Sequence, residues 1–312
     1  MGRTRIGLAL GAGAARGWAH IGVLRALKQA GIVPDIVAGT SIGAVVGGCF
    51  AAGRLDELEG FCRDLTRRKV FGYLDVNLSG SGLILGQRVV DRLEAHLAGL
   101  AIDKLAPRFV AVATEMGTGQ EHWLSRGALV DAMRASYAIP GIFSPVNVDG
   151  RWLFDGALVN PIPVSVCRAL GARYVIAVNL NSDLCGRGAI HPDSAAVGAP
   201  TADSTRPVFS KPAARKLLQR QLFGGGEGGP GISTVMVDAF NIVQDRIARS
   251  RLAGDPPDAI INPRLAGIGL FDFHRADELI LRGIAATQRD LEELRREISA
   301  RDHAMHVSHL HS

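Results

Sequence analysis

Asp35-Ile36-Val37-Ala38-Gly39-Thr40-Ser41-Ile42-Gly43-Ala44-Val45-Val46-Gly47-Gly48-Cys49-Phe50-Ala51-Ala52-Gly53 is the stretch that decides the fold. Asp35 to Ala38 is a short apolar run of the kind found in a parallel strand buried on both faces. Ile42 to Ala52 reads as a helix of small residues, which Gly53 ends. Between them Gly39-Thr40-Ser41-Ile42-Gly43 fits the G-x-S-x-G elbow, which lifts a serine hydroxyl out of a sharp strand-to-helix turn. Small residues let the helix pack tightly under that serine. Glycines at 39 and 43 would clear the approach of an ester.

Upstream, Ile6 to Leu10 reads as another strand. Gly11-Ala12-Gly13-Ala14-Ala15-Arg16-Gly17 is a glycine-rich turn opening a helix that runs to about Ala30. Two such elements supply a nucleophile and backbone N–H groups for an oxyanion, the two requirements of acyl transfer. A dinucleotide fold is the competing reading. It needs glycine where Arg16 stands, and an acid for the ribose where the second strand ends in Thr40 and Ser41. Nor does a Gly-Lys-Ser/Thr phosphate loop occur. The amides around Gly13, at a helix N-terminus, therefore suit an oxyanion better.

Further on come Asp155-Gly156-Ala157 and Asn160-Pro161-Ile162-Pro163, preceded by Ala135-Ser136-Tyr137-Ala138-Ile139-Pro140-Gly141-Ile142-Phe143-Ser144-Pro145. With the Arg16-Gly17 turn and the serine elbow, in this order, the chain from about Ile6 to Leu180 resembles the patatin-like phospholipases. The likeness is to the bacterial branch related to neuropathy target esterase. Ala12 departs from the glycine usual in that branch; were it at positive φ, it would cost roughly 1 kcal/mol or more. The resemblance implies a three-layer α/β/α fold with a mostly parallel central sheet. It also implies a Ser41–Asp155 dyad in place of a Ser–His–Asp triad. In it Ser41 is the nucleophile and Asp155 the general base. Gly11, Ala12, Gly13 and Ala14 form the oxyanion hole; Gly39, Gly43, Arg16, Gly17 and Gly156 give support. The implied activity is hydrolysis of phospholipid or lysophospholipid esters, with no cofactor and no metal. A thioesterase or transacylase on the same dyad is an alternative, as is a regulatory adaptor that keeps the fold.

The histidines agree with a dyad: His96, His122, His191 and His274 carry no motif, and His20 inside the first helix reads as a packing residue. A free aspartate, with a pKa of about 3.9, is a weak base for a serine hydroxyl. Burial among Trp152, Leu153, Phe154, Ala157 and Leu158 would raise it. Asp155 could also be a plain turn residue. Asp149-Gly150 reads that way, between strands Val146–Val148 and Arg151–Leu153.

Composition agrees with an α/β enzyme. The 312 residues are 47% hydrophobic, enough for a large core. Strand and helix patterns alternate through Phe109–Ala113, Ala128–Tyr137, Tyr174–Val178, Asp258–Ile261 and a helix from about Arg275 to Ala300, as in a sheet covered on both faces. We read one domain from 5 to 300. A Gly/Pro/Ser-rich flexible insertion occupies about 181–230, with a short helix over Pro212–Leu222, and a disordered His-containing tail covers 301–312. Arg3 and Arg5 before an apolar run imitate a signal peptide, but cleavage would delete the first strand. No apolar run reaches the roughly 18 residues of a membrane span. Cys49, Cys62, Cys167 and Cys185 form no C-x-x-C pair and fit reduced thiols. A cytoplasmic protein, in peripheral contact with the inner membrane face, is expected. The net charge of +5 suits an anionic lipid surface, and no aromatic-interleaved basic motif points to nucleic acid. Arg63, Arg67, Arg68 and Lys69 read as closing a helix from Leu55, beside the apolar stretches Val70–Leu74 and Leu78–Leu85, as a docking edge.

Overall fold

The computed structural model describes residues 3–73, 82–84, 87–183 and 232–310. Ten strands and nine helices are described. The strands are β1 (Ile6–Leu10), β2 (Ile36–Thr40), β3 (Gly82–Ile84), β4 (Arg108–Glu115), β5 (Glu121–Leu124), β6 (Gly141–Phe143), β7 (Val146–Val148), β8 (Arg151–Asp155), β9 (Tyr174–Val178) and β10 (Ala259–Ile261). The helices are α1 (Trp18–Gln29), α2 (Ile42–Ala51), α3 (Leu55–Arg63), α4 (Arg67–Tyr73), α5 (Gln87–Leu97), α6 (Leu129–Tyr137), α7 (Val164–Ala169), α8 (Ile232–Gly254) and α9 (Ala276–Leu310).

The main sheet runs β10-β9-β1-β2-β4-β8-β7, with β5 also paired to β4. From β10 to β4 every pairing is parallel; β5, β8 and β7 are antiparallel additions at one edge. Every residue of β1, β2 and β9 is buried, as the apolar runs require of strands covered on both faces. One face packs on α1, α2, α3, α6 and α9 through Leu8, Leu10, Val37, Phe109 and Ile176. The other packs on α7 and the last turns of α8 through Ala9, Ala38, Val110, Val112 and Val175. The fold is thus the expected mostly parallel sheet between helical layers. Its order puts β1 and β2 side by side, so the turns that follow them open on one edge.

Helices α1 and α9 cross with their backbones close. A Cβ on Gly22 would strike Ile280 O, and one on Gly283 would strike Ala19 O. The hairpin of β7 and β8 turns at Asp149 and Gly150, with φ of 50° and 81°, the signs of a type I′ turn.

Three expectations need correction. The helix from Leu55 ends at Arg63, so Arg67, Arg68 and Lys69 open α4 and do not close α3. The overlooked signal is Thr66, whose Oγ1 accepts the Lys69 N–H at 3.3 Å as an N-cap does. The last helix does not stop near Ala300 but continues to Leu310, through most of the expected disordered tail. Arg301 holds Asp258 at 2.6 Å, and Asp302 accepts from Thr4 N at 2.7 Å, so the helix is still anchored there. Nor does the expected insertion begin at Asn181. Asn181 is buried, and Asp183 Oδ2 accepts from the Leu265 and Ala266 amides. The rest of the expected insertion to Pro230, with Pro212–Leu222 and Cys185, lies outside the described residues, as do Leu74, Leu78 to Ser81 and Leu85 of the apolar stretches.

Candidate active site

The β2–α2 turn takes the elbow shape. Ser41 has φ 57° and ψ −124°, a conformation an L-residue adopts only under constraint. Two contacts impose it. The Ser41 N–H donates to Ser136 Oγ at 2.9 Å, and that hydroxyl donates to Val112 O at 2.6 Å. Tight packing supplies the rest. A Cβ on Gly39 would strike Gly43 O, one on Gly43 would strike Leu10 O, one on Gly17 the Ile42 side chain, and one on Gly156 Val112 O. Gly39, Gly43 and Gly156 admit the chain's own backbone and Gly17 the Ile42 side chain; at Gly39 and Gly43 this replaces the expected reason that they clear the way for an ester.

Asp155 ends β8 on the same side of the sheet, wholly buried. Ser41 Oγ donates to its Oδ2 at 2.6 Å, and the Ala157 N–H donates to its Oδ1 at 2.8 Å. Burial pushes its pKa up to about 7, against the pull of those two donors. The carboxylate is thus near its titration point at neutral pH, in hydrogen-bond contact with a serine hydroxyl. That is the arrangement of a base and the proton it removes.

The glycine-rich turn stands opposite. Of its four expected oxyanion donors, two are spent. Gly11 N–H donates to Val178 O at 3.2 Å and Ala12 N–H to Pro161 O at 2.9 Å. Among the described residues the amides of Gly13 and Ala14 have no backbone acceptor, so of the four expected donors these two are left to serve a ligand. The strained residue is Ala14, with φ 49°, and not Ala12. The expected penalty at Ala12 therefore does not arise. Arg16 is buried and holds the turn from behind. Its Nε and one terminal nitrogen donate to Ile268 O at 3.0 and 2.9 Å, the other to Asn181 Oδ1 at 3.3 Å. Asn181 Nδ2 in turn donates to Ala12 O at 3.3 Å. His20 Nε2 lies 2.7 Å from Gly11 O, which gives it the structural place expected of it.

A cavity of about 180 Å³ reaches Ser41 and Ala14. Ile42, Val45 and Cys49 form one wall; Phe61, Phe271 and Phe273 stand among the others. Sequence reasoning missed it because its lining comes from segments more than 200 residues apart. Ser136 was quoted only within a motif, and its bridging role had no signal of its own.

Fold and elbow define a class: an α/β protein with a serine on a strained strand-to-helix turn and a buried carboxylate against it. The chain belongs to the patatin-like phospholipase family, whose model matches residues 8–168. An NTE family protein of Mycobacterium tuberculosis is 35% identical over 334 aligned positions, which span 92% of this chain and 91% of that one. A lysophospholipase of Mycosarcoma maydis is 34% identical over 192 positions, 57% of this chain and 10% of its own. Among solved structures VipD of Legionella pneumophila aligns with a TM-score of 0.45 at 12% identity, over 94% of this chain and 67% of that one. Family membership makes lipid hydrolase the coarse functional class. Among the described residues no helix is long and apolar enough to cross a membrane.

Proposed function

We propose that the protein is a serine acyl hydrolase of phospholipid or lysophospholipid esters. Ser41 Oγ attacks the ester carbonyl carbon as Asp155 Oδ2 takes the hydroxyl proton. The oxyanion is held by the Gly13 and Ala14 amides. Collapse of the adduct expels the alcohol, which receives that proton from Asp155, and leaves the acyl group on Ser41. A water molecule then attacks the acyl carbonyl as Asp155 accepts its proton; collapse of that adduct breaks the bond to Ser41 Oγ, which takes the proton back from Asp155, and the fatty acid leaves. The reaction as written needs no metal or organic cofactor. The observation that carries it is the 2.6 Å bond between Ser41 and a buried Asp155 whose pKa lies at about 7. A fluorophosphonate probe should label Ser41. Ser41→Ala should abolish both labelling and ester hydrolysis at an unchanged melting temperature. Persistent hydrolysis in Ser41→Ala would overturn the reading.

Peripheral contact with an anionic membrane belongs to the same reading. Arg67, Arg68 and Lys69 are all exposed at the start of α4, where the helix dipole disfavours cations, so helix stability does not account for them. The next residue, Val70, lines the cavity that reaches Ser41. Exposed cations next in sequence to a residue that lines an apolar cavity suit a surface of anionic lipid.

A further inference from the structure

We propose that the cavity beside Ser41 is a ruler for a single acyl chain of about eight to ten carbons, with Cys49 as the mark where its methyl end stops. The inference rests on the hydrolase reading and names its substrate class more narrowly.

The ruler is one face of α2. Ile42, Val45 and Cys49 follow at the three- and four-residue spacings that align side chains along a helix, and all three line the cavity. Ser41 stands at the head of the same helix, as its N-cap. Eight residues at about 1.5 Å each carry the strip about 12 Å from Ser41 to Cys49. Carbon–carbon bonds of about 1.5 Å, in an extended zigzag, cover that span in about nine carbons. Most of the lining is apolar, with Arg92 and His96 also on it, and each methylene moved from water to an apolar wall contributes about 0.8 kcal/mol.

Residues that follow Cys49 in the chain bring an ion pair to the lining. Arg54 and Glu57 also face the cavity, and they are ion-paired at 3.2 Å with side chains 48% and 36% exposed. Burial first, and the Glu57 carboxylate next, push the Cys49 thiol up to about 12, so the thiol stays neutral. A chain that ends at Cys49 buries every carbon. A longer one must bring methylenes against the ion pair or displace it, and gains little by doing so.

Val45 and Cys49 lie about 6 and 12 Å along the helix from Ser41, so filling either should shorten the accepted chain by a different amount. The test takes nitrophenyl esters of increasing acyl length with the wild type, Val45→Phe and Cys49→Phe. The same lengths are read as binding of free fatty acids to the Ser41→Ala protein by calorimetry, with and without each second substitution. The wild type should peak at eight to ten carbons in both readouts. Cys49→Phe should lower the ratio of the ten-carbon to the four-carbon ester at least tenfold, and Val45→Phe should move the peak shorter still. A poorly folded variant would lose all lengths in proportion, which the graded shift distinguishes. Affinity that keeps rising to sixteen carbons, or variants that melt like the wild type and scale every length alike, would overturn the ruler. Graded binding without any hydrolysis by the wild type would leave the ruler standing and remove the hydrolase reading.

Discussion

His20 and Asp155 are both fully buried, and burial moves their proton affinities in opposite directions. The imidazole is pushed down to about 4, while the carboxyl is pushed up to about 7. Both changes favour the neutral form, as a dry interior does. His20 spends its Nε2–H on Gly11 O, and its Nδ1 has no partner among the described residues. Asp155 has Ser41 and Ala157 as donors. One residue stands behind the glycine-rich turn and the other in front of the serine.

The two should have opposite effects on stability between pH 4 and 6.5. Unfolded His20 takes up a proton there that the native state refuses, so its contribution improves as pH rises. Native Asp155 keeps a proton there that the unfolded chain releases, so its contribution worsens as pH rises. Each effect amounts to at most about 3–4 kcal/mol, and in the wild type they nearly cancel. Thermal melts of His20→Gln, which keeps a donor for Gly11, should therefore show stability falling across that window. Asp155→Asn should show it rising relative to the wild type. Parallel curves for all three proteins would contradict both burial effects.

Asp155 must be ionised to accept a proton, so hydrolysis should rise with pH through a midpoint near 7 and level off above it. The kcat/KM profile of a soluble ester measures this. Asp155→Asn should lose nearly all turnover while melting no lower than the wild type at pH 8, since it removes a carboxyl that is costly to ionise.

Ser136→Ala should loosen the elbow. It strands the Ser41 N–H and takes one donor from the Val112 carbonyl. Stranded buried groups cost about 1–3 kcal/mol each, so a lower melting temperature is expected. A fall in kcat of about tenfold or more should accompany it, because Ser41 leaves the constrained position that aims its hydroxyl. Unchanged kcat with lowered stability would make Ser136 a fold residue only.

Gly13→Val should also lose activity, though not by crowding the substrate. Its φ of 165° is extended and open to any residue, but a Cβ there lies 2.9 Å from Leu180 Cδ1. The turn must shift away from Leu180 and carry the Gly13 and Ala14 amides with it. Ala12→Gly should leave the rate as it is, because Ala12 is unstrained. Kinetics of the two variants side by side check the assignment, and an active Gly13→Val would remove the turn from the oxyanion hole.

Vesicle co-sedimentation of Ser41→Ala tests the cationic edge. Each basic residue close to an anionic surface contributes about 1 kcal/mol, so three give reversible binding that salt weakens. Replacing Arg67, Arg68 and Lys69 by Gln should abolish the preference for anionic over neutral vesicles. Equal sedimentation with both vesicle types would show that charge plays no part.

Much of this arrangement was legible because it is local. Gly39 to Gly43 carries its own strand before it and helix after it, and Asp149-Gly150 carries its own hairpin. What could not be read is what depends on contacts across the chain. Which amides of the glycine-rich turn remain free is decided by Val178 and Pro161, residues that spacing alone cannot bring to Gly11 and Ala12. The break at Thr66 was readable in principle, since its N-cap signal is local, but the run of cations after it resembles a helix end. The close of α9 was missed for the opposite reason. Its polar sequence predicts fraying, whereas Arg301 and Asp302 are held by Asp258 and Thr4 at the far side of the sheet.

The pairing of β9 with β1 also bears on how the chain can be cut. The family match ends at residue 168, yet Ile6 to Leu10 takes one of its two neighbours from Tyr174–Val178. Arg16 closes on Ile268, and α1 lies against Gly283. An expression fragment trimmed to the matched range would carry Ser41 and Asp155 with the central strand bare along one side and its helix unroofed. Such a half-shell offers an open edge to any passing strand and is a candidate for aggregation. The smallest autonomous piece of this protein must therefore borrow from its last fifty residues, however early in the sequence its signature is complete.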